Sequence, residues 1–221
     1  MLDRLDWDSA FFGFTVARVR SQTMTEAEAR DLAAASDAMG ARCVYFLSPH
    51  SPSWRAAIAV GFEPIDIRVE LVAESSTHDA PRALATARDE ADLLAIVREG
   101  AFEQSRFLRD SRFPRDKAAE MFEIWMRRGL DETGWFTVRD ENGFVTCSES
   151  AIQLVAVAER ARGRGAGKRL VRDALAEFAS RGVAQVSVVT QGANIAAERL
   201  YADCGFRTSS VALWLHRWSN V

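Results

Sequence analysis

One stretch in the second half of the chain combines residue types that suit a phosphate ligand. Arg162-Gly163-Arg164-Gly165-Ala166-Gly167 lies between a short apolar run, Ile152 to Val157, and an amphipathic segment over about 165–181. Apolar residues in that segment fall at Leu170, Val171, Ala174, Leu175 and Phe178, the spacing of one helix face. The order is therefore strand, glycine-rich turn, helix. Glycines let the backbone approach a ligand closely, and a helix N-terminus presents free N–H groups with a partial positive charge. Arg162, Arg164 and Lys168 add full charges, so the turn fits a pyrophosphate. A flexible basic turn between two core elements would carry the same residues.

Composition narrows the class. The 221 residues allow one large domain or two small ones, and 48% apolar with 27% charged residues is ordinary for a soluble protein. A net charge of −3 argues against nucleic acid as a partner. Cys43, Cys147 and Cys204 each lie in or beside apolar stretches without metal-ligand spacing, which reads as reduced thiols in a cytoplasmic protein and no metal. His216 sits in an aromatic strand and reads as structural. The N-terminus lacks a basic region followed by an apolar run, and no run is long enough to span a membrane, so neither a signal peptide nor a membrane partner is expected.

The elements that must position the turn follow from caps and periodicity. Thr25 and Glu28 form a capping-box pattern for a helix that Gly40 stops. A strand at 43–47, a short helix at 53–60 and a strand at 65–72 follow. Residues 73–81 are polar and read as a linker. Beyond it come a strand at 82–87, helices at 89–102 and 116–128, and a hairpin of 135–139 with 144–148 turning at Asn142-Gly143. After the glycine-rich turn and its helix come a strand at 183–190, a helix from Asn194 to Cys204 stopped by Gly205, and a strand at 211–218. The halves repeat: helix, Gly40, strand, short helix, Gly61-Phe62, strand in the first; helix, Gly182, strand, short helix, Gly205-Phe206, strand in the second. The expected class is α/β (α+β), with a division into 1–75 and 82–221 in which the first part is a partial, ligand-free copy. Coincidence between two generic units is the alternative.

Arg162-x-x-Gly165-x-Gly167, Asn194-x-x-Ala197-x-x-x-Tyr201 and Gly205-Phe206 together resemble the GCN5-related N-acetyltransferase (GNAT) superfamily. The resemblance implies a GNAT fold with a mixed central sheet, preceded by a degenerate GNAT-like N-terminal half, and acetyl-CoA as cosubstrate. It implies that the strand at 152–157 splays from its neighbour and pairs with the pantetheine arm through Leu154, Val155 and Val157. Residues Arg162, Gly163, Arg164, Gly165, Ala166 and Gly167 would hold the pyrophosphate, and Asn194 would cap its helix and touch the arm. Tyr201 would be the general acid that protonates the departing thiolate: a thiol titrates near ~8.5 and a phenol near ~10. A tyrosine that only packs is the other reading.

A narrower resemblance, in 101–107, Thr190-Gln191, Asn194 to Tyr201, Trp214 to Trp218 and the opening Trp7-x-x-x-Phe11-Phe12-Gly13, is to members that acetylate a nucleotide-linked amino sugar. Ser105, Arg106 and Phe107 would line the acceptor site; a structured helix-end turn is the alternative. Four arginines in 101–115 favour an anionic acceptor over a polyamine. Trp7, Phe11 and Phe12 fit a pocket wall or, better, the core. Glu149, Glu103 or a water relay are open as the base. Rival functions are acetylation of another small amine, such as an antibiotic, and a silent acyl-CoA-binding module. The terminal strand with Trp214 and Trp218 is compatible with a homodimer.

Overall fold

The computed structural model describes residues 2–77, 83–100 and 102–219. Ten strands form one mixed sheet in the order β1-β2-β3-β10-β4-β9-β8-β7-β6-β5. The strands are β1 (Leu2–Arg4), β2 (Val16–Val19), β3 (Cys43–Ser48), β4 (Phe62–Glu74), β5 (Ala83–Leu84), β6 (Phe136–Asp140), β7 (Gly143–Ser148), β8 (Ala151–Val157), β9 (Gln185–Gln191) and β10 (Arg207–Trp218). Only β2–β3 and β8–β9 are parallel. The helices are α1 (Asp6–Phe12), α2 (Glu26–Ala38), α3 (Ser51–Ile58), α4 (Glu90–Arg98), α5 (Arg106–Arg109), α6 (Arg115–Asp131), α7 (Ala166–Ser180) and α8 (Ile195–Asp203).

The internal repeat is visible as an exchange of strands. In each half two parallel strands are joined through a helix, and a short helix leads to a last strand: β2-α2-β3-α3-β4, then β8-α7-β9-α8-β10. Each last strand pairs antiparallel with the other half's second parallel strand, β10 with β3 and β4 with β9, and the two last strands pair with each other. Reversing the order β2-β3-β10-β4-β9-β8 while swapping the halves returns the same order. β10 is thus interior to the sheet. Trp214 and Trp218 are half-buried against the core, and Trp218 donates to Asp110 at 3.0 Å. β10 pairs with β3 through Leu213–Trp218 and with β4 on its other side.

Strand alternation sorts the core onto two faces. Val16, Cys43, Tyr45, Leu154 and Ala156 face α4 and α6, whose buried residues include Leu93, Met121 and Met126. Their neighbours Ala17, Val44 and Phe46 face α2 and α3, while Val145 and Ile152 face α7. Phe12 and Phe113 pack ring to ring, tilted at 48°, in the α4–α6 core, whereas Trp7 stays 48% exposed. Neither Trp7, Phe11 nor Phe12 walls the cavity described below.

Several sequence expectations shift. The opening aromatics lie on α1, which periodicity did not mark. The polar 73–81 segment begins inside β4, and the rest of it lies largely outside the described residues. The strand expected at 82–87 is only β5, and the following helix ends at Arg98. The hairpin turn is Glu141-Asn142, because Asp140 pairs with Gly143. Gly143 is therefore a strand residue; a Cβ there would strike the Ala156 carbonyl on β8. Its missing side chain serves packing between strands rather than a turn.

Candidate active site

The parallel pair β8–β9 is held together only at Ala151↔Ser187 and Ile152↔Val188. Beyond them β8 continues paired to β7, and β9 continues paired to β4. The edges they turn toward each other carry no ladder partner. A cavity of about 790 Å³ opens in this gap. Leu154, Val155 and Val157 line it from β8, Val189, Thr190 and Gln191 from β9.

The glycine-rich turn closes one end. Gly163 and Gly165 have φ of 71° and 80°, left-handed values that side chains resist. Gly165 is the residue before α7, and Gly167 lies close under α8, where an added Cβ would sit 3.3 Å from Leu200. Among the described residues nothing accepts a hydrogen bond from the backbone N–H groups of 163–168. Free N–H groups at the start of a fifteen-residue helix are a ready anion site. Arg162 lines the cavity, but its guanidinium is tied to the carbonyls of Val157 (3.0 Å) and Glu99 (3.3 Å) and braces the turn. Lys168 lines it too and pairs with Asp203 at 3.0 Å. Arg164 points elsewhere: it is exposed and does not line the cavity, while Gly163, Gly165, Ala166 and Gly167 do.

Asn194 and Tyr201 enter from α8. Asn194 Oδ1 accepts from the Ala197 N–H at 3.1 Å, capping the helix as its type predicts. Tyr201 is 5% exposed, packs on Phe206 and lines the cavity. Burial pushes its phenol further up, and no group among the described residues hydrogen-bonds its hydroxyl. The proton therefore stays on the oxygen and is free for a ligand.

The opposite wall comes from α5 and the last strands. Ser105, Arg106 and Phe107 all line the cavity. The Ser105 hydroxyl is committed to the Leu108 N–H (3.3 Å), and Phe107 is buried in the core. Arg106 lies over the rings of Phe107 (3.9 Å), Tyr45 (4.3 Å) and Trp214 (4.3 Å). It donates to His216 Nε2 at 2.8 Å, and His216 Nδ1 donates to Asp110 at 2.7 Å. Arginine has no acceptor, so this chain fixes the histidine tautomer. Burial lowers His216 to about 4, and it is neutral at pH 7, a structural role as its strand setting implied. Of the four arginines in 101–115, only Arg106 reaches the cavity. Arg112 binds Asp110 and Glu63, Arg115 binds Glu103, and Arg109 lies 4.0 Å from Asp66. The basic lining instead includes Arg68, Arg162, Lys168 and Arg199.

Neither Glu103 nor Glu149 lines the cavity; both are exposed, and Glu103 is held by Arg115. The residue that sequence reasoning missed is Asp66 on β4. It lines the cavity and is 7% exposed. The only signal was a polar residue in the alternating run Ile65-Asp66-Ile67, and alternation alone places polar residues outward.

A mixed sheet with one splayed parallel pair and a free N-terminal helix turn at the gap is the GNAT fold. Residues 105–206 match the acetyltransferase (GNAT) family. The chain is similar to a dTDP-fucosamine acetyltransferase of Escherichia coli O6:H1, 27% identical over 98% of this chain and 97% of that one. Among solved structures it is similar to a GCN5-related N-acetyltransferase from Sphaerobacter thermophilus (16% identity, TM-score 0.66, 98% of this chain and 76% of that one). A GCN5-related N-acetyltransferase from Kribbella flavida is another (15% identity, TM-score 0.57, 92% and 81%). At these identities the two structures bear on the fold. No helix among the described residues is long and apolar enough to cross a membrane.

Proposed function

We propose that this acetyltransferase moves an acetyl group from acetyl-CoA to the amino group of a nucleotide-linked amino sugar, with Tyr201 as general acid. The observation that carries the reaction is the unpaired pair of edges of β8 and β9 leading from the free N–H groups of 163–168 to Tyr201. An extended pantetheine arm supplies the missing strand, pairing with backbone at Leu154, Val155 and Val157. The N-terminal turn of α7 takes the pyrophosphate, and Asn194 faces the arm. The acceptor nitrogen attacks the thioester carbonyl carbon, the C–S bond breaks, and Tyr201 gives its proton to the sulfur. The proton lost from nitrogen restores the phenol.

The acceptor class rests on the full-length similarity to the E. coli enzyme together with the wall of Arg106, Phe107, Phe102, Trp125 and Trp214. Flat rings and a guanidinium suit a base, a sugar and a phosphate. The strand exchange supports reading 1–75 and 82–221 as two copies of one unit, the first without a ligand. Cys43, Cys147 and Cys204 are unpaired, which favours a reducing compartment such as the cytoplasm.

The test is CoA release from acetyl-CoA with dTDP-linked amino sugars, free amino sugars, polyamines and aminoglycosides as acceptors. Turnover confined to the nucleotide-linked sugars is the expected result. Faster turnover of free amines would keep the reaction and overturn the acceptor.

A further inference from the structure

Asp66 stands out among the charged groups of the cavity. Its Oδ1 is fully buried and accepts no hydrogen bond, the only such side-chain atom among the described residues. An ionised oxygen without a hydrogen bond is costly away from water. Its nearest cation, Arg109 on α5, stops at 4.0 Å, outside hydrogen-bond reach. The position explains what the oxygen is for. Arg68 pairs with Gln191 at the last rung of the β4–β9 ladder, and the Gly192 N–H still reaches the Ile67 carbonyl at 2.7 Å. Asp66 is the next residue out, past the end of β9, where the sheet gives way to the cavity. Across the ladder it faces Trp214 of β10, so the two share one face of the sheet, the one on which Trp214 meets Arg106. Tyr201 lies in the core of the other face. The gap between β8 and β9 thus has a proton donor on one side and, on the other, a carboxylate with one oxygen that accepts no hydrogen bond.

We propose that Asp66 is the residue that receives the acceptor's ammonium group and takes its proton before attack. This rests on the acetyl-transfer reading above. The balance is simple. R–NH3+ gives one proton to the Asp66 carboxylate and becomes R–NH2. The nitrogen lone pair forms the bond to the thioester carbon, the C–S bond breaks, Tyr201 protonates the departing sulfur and is restored by the second proton lost from nitrogen, and the neutral Asp66 carboxyl later returns its proton to solvent.

The electrostatics agree with the geometry. Burial raises Asp66 to about 6, while Arg109, the Ile67 N–H and Arg106 pull the other way and prevent a larger rise. The elements beside it from the sheet, β9 ending in Gln191 and β10 at Trp214, present no charge there, and Arg68 on its own strand is paired with Glu70 at 2.7 Å. A carboxylate at about 6 is ionised at neutral pH and closer to an ammonium's range than an ordinary aspartate. The residue comes from the first half's last strand, so strand exchange delivers it to the second half's site.

The experiment has two arms. In the first, the full chain labelled with 13C at the aspartate carboxyls is titrated by NMR, with Asp66→Asn identifying the signal; no acceptor is needed. A midpoint near 6 is expected, and one near the ordinary ~4 would overturn the proposal even if no nucleotide sugar is turned over. In the second, kcat/KM for the best-reacting amine of the panel is followed from pH 5 to 9. Asp66→Asn should lose on the order of 100-fold together with the acidic limb near pH 6, and Asp66→Glu should regain part of the rate. An Asn variant within about threefold of wild type with its acidic limb intact would be incompatible with a base at this position, and unchanged melting separates this from misfolding.

Discussion

The two halves of the chain build the same unit, yet only one of them opens. In the first half the parallel pair β2–β3 is zipped along Val16↔Cys43, Ala17↔Val44 and Arg18↔Tyr45, nearly the whole of β2. In the second, β8 and β9 are longer but share only two rungs. The connections differ to match. After β2 the backbone is answered by serines: Met24 N–H by Ser53 at 3.0 Å, Thr23 N–H by Ser21 at 3.1 Å, and the Gln22 carbonyl by Ser48. After β8 the N–H groups of 163–168 are left unanswered. Counting back from Gly61 and Gly205, Asn194 corresponds to His50, which caps α3 without a side-chain bond, and Tyr201 to Ala57, which is fully buried. One architecture becomes a core when its polar groups are satisfied internally and a site when they are withheld.

The largest effect should come from removing what the second half alone has. Tyr201→Phe keeps the ring against Phe206 and deletes the proton; kcat should fall 10²–10⁴-fold while acetyl-CoA binding, read by calorimetry, stays within about twofold. Retained kcat would return Tyr201 to the status of its counterpart Ala57, a packing residue. Next in size is the seam of the exchange. His216 on β10 holds Asp110, and its folded value near 4 lies below the unfolded value near ~6.5. The unfolded chain therefore binds the extra proton, and this stability is present above pH 6.5 and lost as pH falls toward 4. Burial pushes Asp110 up, but hydrogen bonds from His216, Arg112 and Trp218 outweigh it and hold the carboxyl below its usual range, so its contribution is lost at still lower pH. Asp66, raised to about 6, has the opposite sign and masks part of the slope in wild type. The comparison of wild type with His216→Gln isolates it. In urea titrations the difference in stability should shrink by about 2 kcal/mol between pH 7.5 and pH 5. A constant difference would mean that His216 does not titrate across this range.

Smaller again is a paired glycine test. Gly61 and Gly165 both sit at left-handed φ, 91° and 80°, with room for a Cβ. Alanine at either should cost about 1–2 kcal/mol of strain. Only Gly165→Ala should also weaken acetyl-CoA, by roughly tenfold, because only that turn offers its N–H groups outward. Equal affinities for the two variants would remove the turn after β8 from the binding site.

The sequence made visible what depends on local chemistry. The capping box of Thr25 and Glu28, the Asn194 cap, the glycine-rich turn and the repeat of Gly-Phe stops are local signals, and the structure shows each of them. What stayed hidden depends on partners distant in the chain. The strand exchange needs β10 to bypass β9, which no periodicity reports. The commitment of Arg112 and Arg115 to Glu63, Asp110 and Glu103 turned an apparent basic cluster into surface and seam pairs. Gly143 looked like a turn residue because its neighbour Asn142 favours turns, while the register is set by contact with β8. Asp66 was invisible for the same reason: the hydrogen bond its Oδ1 lacks is a fact about three strands and a helix, not about its neighbours in sequence.

The finest distinction compares the two helix caps. Thr25 and Asn194 each close a helix start with a side-chain oxygen, Thr25 to the Glu28 N–H at 3.3 Å and Asn194 to the Ala197 N–H at 3.1 Å. Alanine at either should cost about 0.5–2 kcal/mol, roughly 2–4 °C per kcal/mol in a chain of this size. The caps differ in what remains after capping. Thr25 also donates its hydroxyl to Glu28, so nothing is left over. Asn194 spends only Oδ1, keeps its amide donors, and lines the cavity. Asn194→Ala should therefore raise the KM for acetyl-CoA severalfold on top of its melting shift, while Thr25→Ala should shift melting alone. If both variants melt lower and neither changes KM, Asn194 does in the open half only what Thr25 does in the closed one, and the arm is held by backbone without it.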